Sequence, residues 1–182
     1  VTVRRSVKGI EKPQRNMFLQ KEFWISGYGQ FIRLGAHSTI VGWLPAFLFE
    51  ARGFDFILAG LSVSAMNILA IFGNILGGIF SDRFGKIKVI SFSFICLAVC
   101  VTSFASITSY LAIWVTIAFI GLFINALRAP SFTILPDIYG VRRAGRVSGY
   151  QNTIASAGAL TLPSTLGVVR SMTGNFFTGW VI

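Results

Sequence analysis

Apolar residues run along this chain in long blocks, with short polar links between them. The first 22 residues are polar and basic. Apolar blocks then cover about residues 23–49, 56–80, 87–105, 110–127 and 147–169, and a sixth begins near 176 and runs to residue 182. Each complete block has about 18–27 residues, and a helix needs about 20 to cross a hydrocarbon core of about 30 Å. Backbone groups in lipid must find partners within their own segment, so the blocks are predicted to be helices. The short alternating segments of a transmembrane β-barrel are absent. The predicted fold class is an all-α membrane protein, a polytopic bundle of transmembrane helices.

Composition agrees with this. AVILMFWYC residues make up 54% of the 182, charged residues only 12%, and Phe alone occurs 18 times. A soluble domain of this size could not hide so much apolar surface, and a disordered chain would lack it. The net charge is nevertheless +10, from 16 Lys+Arg against 6 Asp+Glu. That balance fits either a nucleic-acid binder or a membrane protein with basic links, and the position of the charges decides. The leading 22 residues, the 81–88 link and the 128–146 link hold thirteen of the sixteen cations. The 50–55 and 170–175 links hold only Arg52 and Arg170, the 106–109 link holds none, and Arg33 lies within a block. Charge thus alternates from link to link, and the positive-inside rule puts the thirteen-cation side in the cytoplasm. Residues 1–22, 81–88 and 128–146 are therefore expected to be cytoplasmic, in a multi-pass protein of the cell (inner or plasma) membrane. No aromatic-interleaved basic platform accompanies the cations, so no nucleic-acid partner is expected. The start is basic, but the first apolar block is too long and too late for a signal peptide. Cys96 and Cys100, four residues apart in the third block, offer neither a disulfide framework nor metal spacing, so no metal site is expected and both read as buried structural thiols.

Two links carry motifs. Gly77-Gly78-Ile79-Phe80-Ser81-Asp82-Arg83-Phe84-Gly85-Lys86-Ile87-Lys88 resembles the G-x-L-a-D-R-x-G-R-K signature of the major facilitator superfamily of secondary transporters. The matches are Gly78, Asp82, Arg83, Gly85 and Lys86, with the second basic residue displaced to Lys88. Pro136-Asp137, then Arg142-Arg143-Ala144-Gly145-Arg146 and Gly149, resembles the family's P-E…R-G…G loop, with Asp137 in place of Glu. The resemblance covers essentially the whole chain. It implies half of the family's fold: the seventh to eleventh helices, the start of the twelfth, and the end of the central cytoplasmic loop. The chain is accordingly read as a fragment, with residues 1–22 a loop remnant, residues 23–182 the C-terminal helix bundle, and an N-terminal half of the same transporter missing. The family's three-helix inverted repeats find one echo, in Leu44-Pro45-Ala46-Phe47 and Ala129-Pro130-Ser131-Phe132, each read as ending a helix.

The signature has a physical reading. Gly78 permits a tight approach or turn at a helix end, and Gly85 can supply a positive-φ turn. Asp82 at the membrane boundary calls for a cationic partner. Arg128 stands on the same side, so an Asp82–Arg128 pair joined by Arg146 is expected. The resemblance implies that such contacts latch one conformation and break as the carrier rocks. A solvated positive-inside loop without a switch is the alternative.

The first block carries Ser26, Gln30, Arg33 and His37 at spacings of 4, 3 and 4, on one helical face. An Arg near the centre of a lipid-facing helix costs on the order of 2.5–3.5 kcal/mol even on the lenient scale, so this face is expected to meet protein or water. His37, the only His, lies mid-span, and Arg33 is roughly 6 Å away at about 1.5 Å per residue. Two readings stay open: a cavity face on which Arg33 holds an anion assisted by His37, or snorkelling and interhelix hydrogen bonds. The resemblance implies that this helix lines the transport path. In the second block Gly60, Ser64, Asn67, Ile71, Asn74 and Gly78 share a face, with Asn74 read as packing and Asn67 as either packing or cavity-lining. Gly121, Asn125 and Arg128 align on the fourth, and the small residues after Gln151 and Asn152 read as packing.

The expected function is a secondary active transporter moving a small solute, an organic or inorganic anion, by alternating access. The partners are the lipid bilayer and the solute. The binding residues are Arg33, His37, Gln30 and Asn67. A neutral or zwitterionic metabolite, or drug efflux, is the alternative. No cofactor is implied, and proton coupling is compatible with His37. An intramembrane enzyme would need a nucleophile with a base, or a metal set, at mid-depth; only one His exists and no acidic residue lies mid-membrane, so no catalysis is expected. A purely structural or channel-forming membrane protein is the remaining alternative, against which the loop signature stands.

Overall fold

A computed structural model describes residues 17–174 and residue 176. After a single 3-10 turn at Met17–Leu19 come six α-helices: α1 (Lys21–Arg52), α2 (Phe56–Phe84), α3 (Lys86–Phe104), α4 (Tyr110–Ala126), α5 (Arg128–Tyr139) and α6 (Val141–Thr173). Most of the leading basic segment and nearly all of the sixth apolar block lie outside the described residues.

The helices outrun the apolar blocks, most of all between the fourth and fifth. Residues 128–146, expected as a polar loop, are helical apart from Gly140. Pro136 is accommodated inside α5, and the helix runs on to Gly140, whose φ of +79° suits glycine alone. Pro130 stands in the first turn of α5, where a missing N–H is tolerated. It cannot bond the carbonyl of Ala126 four residues back, and α4 gives way to α5 one residue later, at Leu127. Residues 110–139 thus form one broken rod. Pro45 lies inside α1, which runs on to Arg52, so that member of the proline echo ends no helix, whereas Pro130 follows the end of α4 and stands in the first turn of α5.

By length and apolarity, three helical stretches can cross a membrane: Phe56–Phe84, Lys86–Phe104 and Tyr110–Tyr139. The sequence reading expected five complete spans. Helices α1 and α6 have the length, 32 and 33 residues, but their polar stripes leave them less apolar than the other three.

Two tight parallel pairs organise the bundle. A Cβ on Gly35 would come 2.8 Å from the Gly158 carbonyl oxygen, and one on Gly158 would strike the Phe31 carbonyl, so α1 and α6 touch backbone to backbone. The α2–α4 pair is as close, with Gly121 against Met66, Gly73 against Leu122 and Gly77 against Ala126. In both pairs the contacting numbers rise together, as they must where every second crossing runs the same way. Such contacts stand in for the hydrophobic drive that lipid removes.

This corrects the reading of α2. Its buried face is Ala59, Ser62, Met66, Ala70, Gly73, Gly77 and Ser81, one residue out of step with the Gly60–Asn67–Asn74–Gly78 stripe. Asn67 and Asn74 are exposed. Gly78 makes no tight approach, since a Cβ there meets only Ala129 Cβ at 3.9 Å. The main core joins α1 to α4 through Leu44, Phe47, Leu48, Met66, Ile113, Ile117 and Ile124, with Phe104 and Leu166 from the flanking helices. A smaller cluster of Phe23, Leu135 and Val147 binds α1, α5 and α6 at the other end. Cys96 and Cys100 are free, half-buried thiols.

Candidate functional site

The polar face of α1 turns inward against α6. Gln30 and Arg33 are buried, at 3% and 8% exposure, and His37 is half-buried one turn on. Three residues along a helix bring Gln30 and Arg33 side by side, and Arg33 Nε donates to Gln30 Oε1 at 2.8 Å. Among the described residues no carboxylate pairs with Arg33, and its two terminal nitrogens have no protein partner. Gln30 Nε2 is also buried without a partner. Arg128, at the break between α4 and α5, lies within electrostatic reach of both Arg33 and His37. Two guanidinium groups and an imidazole therefore share one region with no acidic counter-charge. Arg128 was expected at the end of a span. It lies well inside the 110–139 rod and is exposed.

One turn before Gln30, Ser26 accepts a hydrogen bond from Gln151 Nε2 on α6. Gln151 is fully buried, and its Oε1 has no partner. The sequence reading put Ser26 on the stripe but took α6 as small-residue packing, which hid Gln151. The only available signal was a long amide at the head of an otherwise small face. Asn67 is exposed on α2 and is not brought into this group.

At the basic end of the bundle, Gly85 links α2 to α3 with φ +96°, a turn that glycine adopts without strain. Asp82 makes no ion pair with Arg128, and Arg146, exposed on α6, makes none with either. The geometric reason is the α5 helix, which puts Arg128 at its start and leaves Asp137 near the α2–α3 turn. The ion pair found there instead joins Lys86 to Asp137 and leaves Asp82 out. Lys86 Nζ lies 2.6 Å from Asp137 Oδ2 and donates to the Thr133 carbonyl at 2.7 Å. The two link motifs are joined through that pair. Asp137 was legible as part of the second motif, but its partner was not. Arg83 lies over the Phe84 ring at 5.5 Å.

At the opposite end Glu50 of α1 pairs with Arg170 of α6. Arg170 also lies 4.3 Å from the Phe176 ring centroid and 5.6 Å from that of Trp43. Trp43 Nε1 donates to the Pro163 carbonyl at 3.0 Å, and Arg52 donates to the Ala105 carbonyl at 2.7 Å. Both ends of α1 are thus tied to α6, and the Arg33 region lies between the ties.

Comparison with known proteins agrees with this architecture. Residues 3–163 match the family model of the Major Facilitator Superfamily. A probable galactarate/D-glucarate transporter of Escherichia coli (strain K12) is 24% identical over 155 residues, which are 81% of this chain and 34% of that protein. A probable sulfoacetate transporter of Cupriavidus necator is 23% identical over 175 residues, 90% of this chain and 40% of that protein. A probable nitrate transporter of Staphylococcus haemolyticus is 26% identical over 156 residues, 84% and 39% respectively. The chain spans between a third and two fifths of the length of these relatives. With the family model covering most of its length and its helices in two parallel glycine-packed pairs, the chain belongs to the major facilitator superfamily.

Proposed function

We propose that this chain is part of a secondary carrier for a small anion, and that Arg33 holds the anion with Gln30, His37 and Arg128 around it. The supporting observation is the state of Arg33: a buried residue fixed through Nε by Gln30, with no partner for its terminal nitrogens among the described residues. A lone buried cation is costly, and an anionic solute removes that cost while it is bound. Arg offers a planar fork that fits carboxylate, sulfonate or nitrate oxygens in pairs. The relatives' names give galactarate or D-glucarate, sulfoacetate and nitrate as their solutes, all of them anions. Asn67, exposed on α2, would join the site across the path from α1.

In this reading the substrate enters a water-filled path beside α1 and α6, the two long helices that are less apolar than the three membrane-crossing stretches. It exchanges water for the Arg33 fork and Gln30 Nε2. His37 accepts or releases the proton that accompanies the anion. The carrier then rocks between states, with Lys86–Asp137 at the basic end and Glu50–Arg170 at the other as ties. The Arg83–Lys88 side faces the cytoplasm, following the charge bias of the links.

The test is uptake of labelled D-glucarate, sulfoacetate and nitrate by vesicles containing the full-length protein, with Arg33→Ala and Arg33→Lys beside it. A saturable uptake of at least one anion is expected, lost in Arg33→Ala and weakened in Arg33→Lys. Saturable anion uptake that survives Arg33→Ala unchanged overturns the assignment of Arg33. Flux that never saturates overturns the carrier.

A further inference from the structure

A second site lies on the other side of the bundle and plays no part in that path. Helices α2, α3 and α4 enclose a cavity of about 340 Å³ near the basic end. Its walls include Phe80, Phe84, Phe92, Phe123 and Ala126, and its polar side chains are Lys88, its one charged group, and the buried Ser93. The spacing explains how one helix turn feeds two different sites. Lys88 and Phe92 are four apart on α3 and share a face. Lys86 is two residues from Lys88, about 200° around the helix at about 100° per residue, and points instead to Asp137 on α5. Asp82 is likewise two residues from both Phe80 and Phe84, on the far side of α2 from the cavity. The nearest carboxylate is therefore turned away, and a second cation, Arg83, lies over the ring of Phe84, one of the cavity's walls.

We infer that this cavity binds an anionic phospholipid, with one acyl chain among the phenylalanines and the headgroup phosphate on Lys88 and Arg83. Charge complementarity carries the choice of occupant. The walls are apolar, as an acyl chain requires, and the one charged group lining them is the cation Lys88, on the side to which the charge bias of the links assigns the cytoplasmic headgroups. That is the pattern by which basic pockets between membrane helices take anionic lipids. Lys88 is exposed and has no ion pair among the described residues, so its ammonium is available. A zwitterionic lipid would fill the cavity equally well but bring a choline cation to a cationic rim.

Native mass spectrometry of the full-length protein, titrated with dioleoylphosphatidylglycerol and separately with dioleoylphosphatidylcholine, tests this. The wild type should retain phosphatidylglycerol in preference to phosphatidylcholine. Lys88→Gln, at an exposed position that leaves the fold intact, should weaken phosphatidylglycerol retention about five-fold and leave phosphatidylcholine unchanged. Val89→Phe, which pushes a ring into the cavity, should reduce retention of both lipids. Glycerol phosphate, which has the headgroup charge but no chain, should not displace the lipid. Equal retention of the two lipids by the wild type overturns the proposal. So does phosphatidylglycerol retention that is unaltered in both variants, the result expected if a protein helix fills the cavity.

Discussion

Lys86, at the first residue of α3, reaches the far end of α5 and places its ammonium 2.6 Å from Asp137 and 2.7 Å from the Thr133 carbonyl. The pair joins two link motifs 51 residues apart in sequence. The Asp137 side chain is 60% exposed and that of Lys86 23%, so solvent screens the attraction and its worth in stability is below about 1 kcal/mol. Lys86→Ala and Asp137→Ala should therefore shift thermal unfolding only slightly. Transport is the sharper readout if the pair is a latch. The exchanged double variant, Lys86→Asp with Asp137→Lys, should then recover uptake that each single reversal loses. Equal losses in all three would leave the pair a surface contact without that role.

The glycines of α2 separate packing from motif. A side chain at Gly77 drives into the Ala126 backbone, whereas a Cβ at Gly78 meets only Ala129 Cβ at 3.9 Å. Gly77→Val should cost about 1–3 kcal/mol in thermal unfolding, and Gly78→Ala should stay within about 0.5 kcal/mol. The reverse order would mean that α2 and α4 do not approach as described.

Ser26 and Gln151 give a prediction in which the larger change does less harm. Ser26→Ala leaves the fully buried Gln151 amide with both its polar atoms unmet, at a cost of about 1–3 kcal/mol. Gln151→Leu removes both atoms at once and should be close to neutral. Thermal unfolding of the two variants, measured side by side, gives the order.

Arg170 serves Glu50 and two rings, while Glu50 serves Arg170 alone among the described contacts. Arg170→Leu should therefore destabilise more than Glu50→Gln, by about 0.5–1 kcal/mol for the lost ring contacts. Equal shifts in unfolding would show that the rings contribute nothing.

The all-helical membrane fold was legible because hydrocarbon imposes one length scale on the apolar blocks. Arg33 was legible because a charge inside an apolar block has few explanations. Gly85 was legible because its motif calls for a turn. What escaped was azimuth and continuity. The Asn67–Asn74 stripe and the Ala70–Gly73–Gly77 face differ by one residue, and hydropathy cannot choose between them when both are small or apolar. Backbone contacts such as Gly77 against Ala126 decide it, and they need the partner helix. Residues 128–146 read as a loop because their charges drown the apolar signal, although helices continue readily into the headgroup zone once Pro130 has been accommodated in a first turn. Lys86 and Asp137 were both quoted in motifs, yet their pairing depends on α5 being helical.

The proline at 130 has a mechanical consequence. Because it leaves the Ala126 carbonyl without its helical partner, the 110–139 rod is divided at Leu127 into two segments rather than being one continuous helix. The first segment is clamped to α2 by Gly73, Gly77 and Gly121. The second, α5, is held at its tip by Lys86. Twelve residues at about 1.5 Å each make a lever of about 18 Å, so a bend of about 10° at the joint carries its tip about 3 Å. Arg128 is at the pivot and hardly moves. A bend at Leu127 would therefore shift Asp137 far more than Arg128, and would have to disturb the packing of Leu135 against Phe23 and Val147.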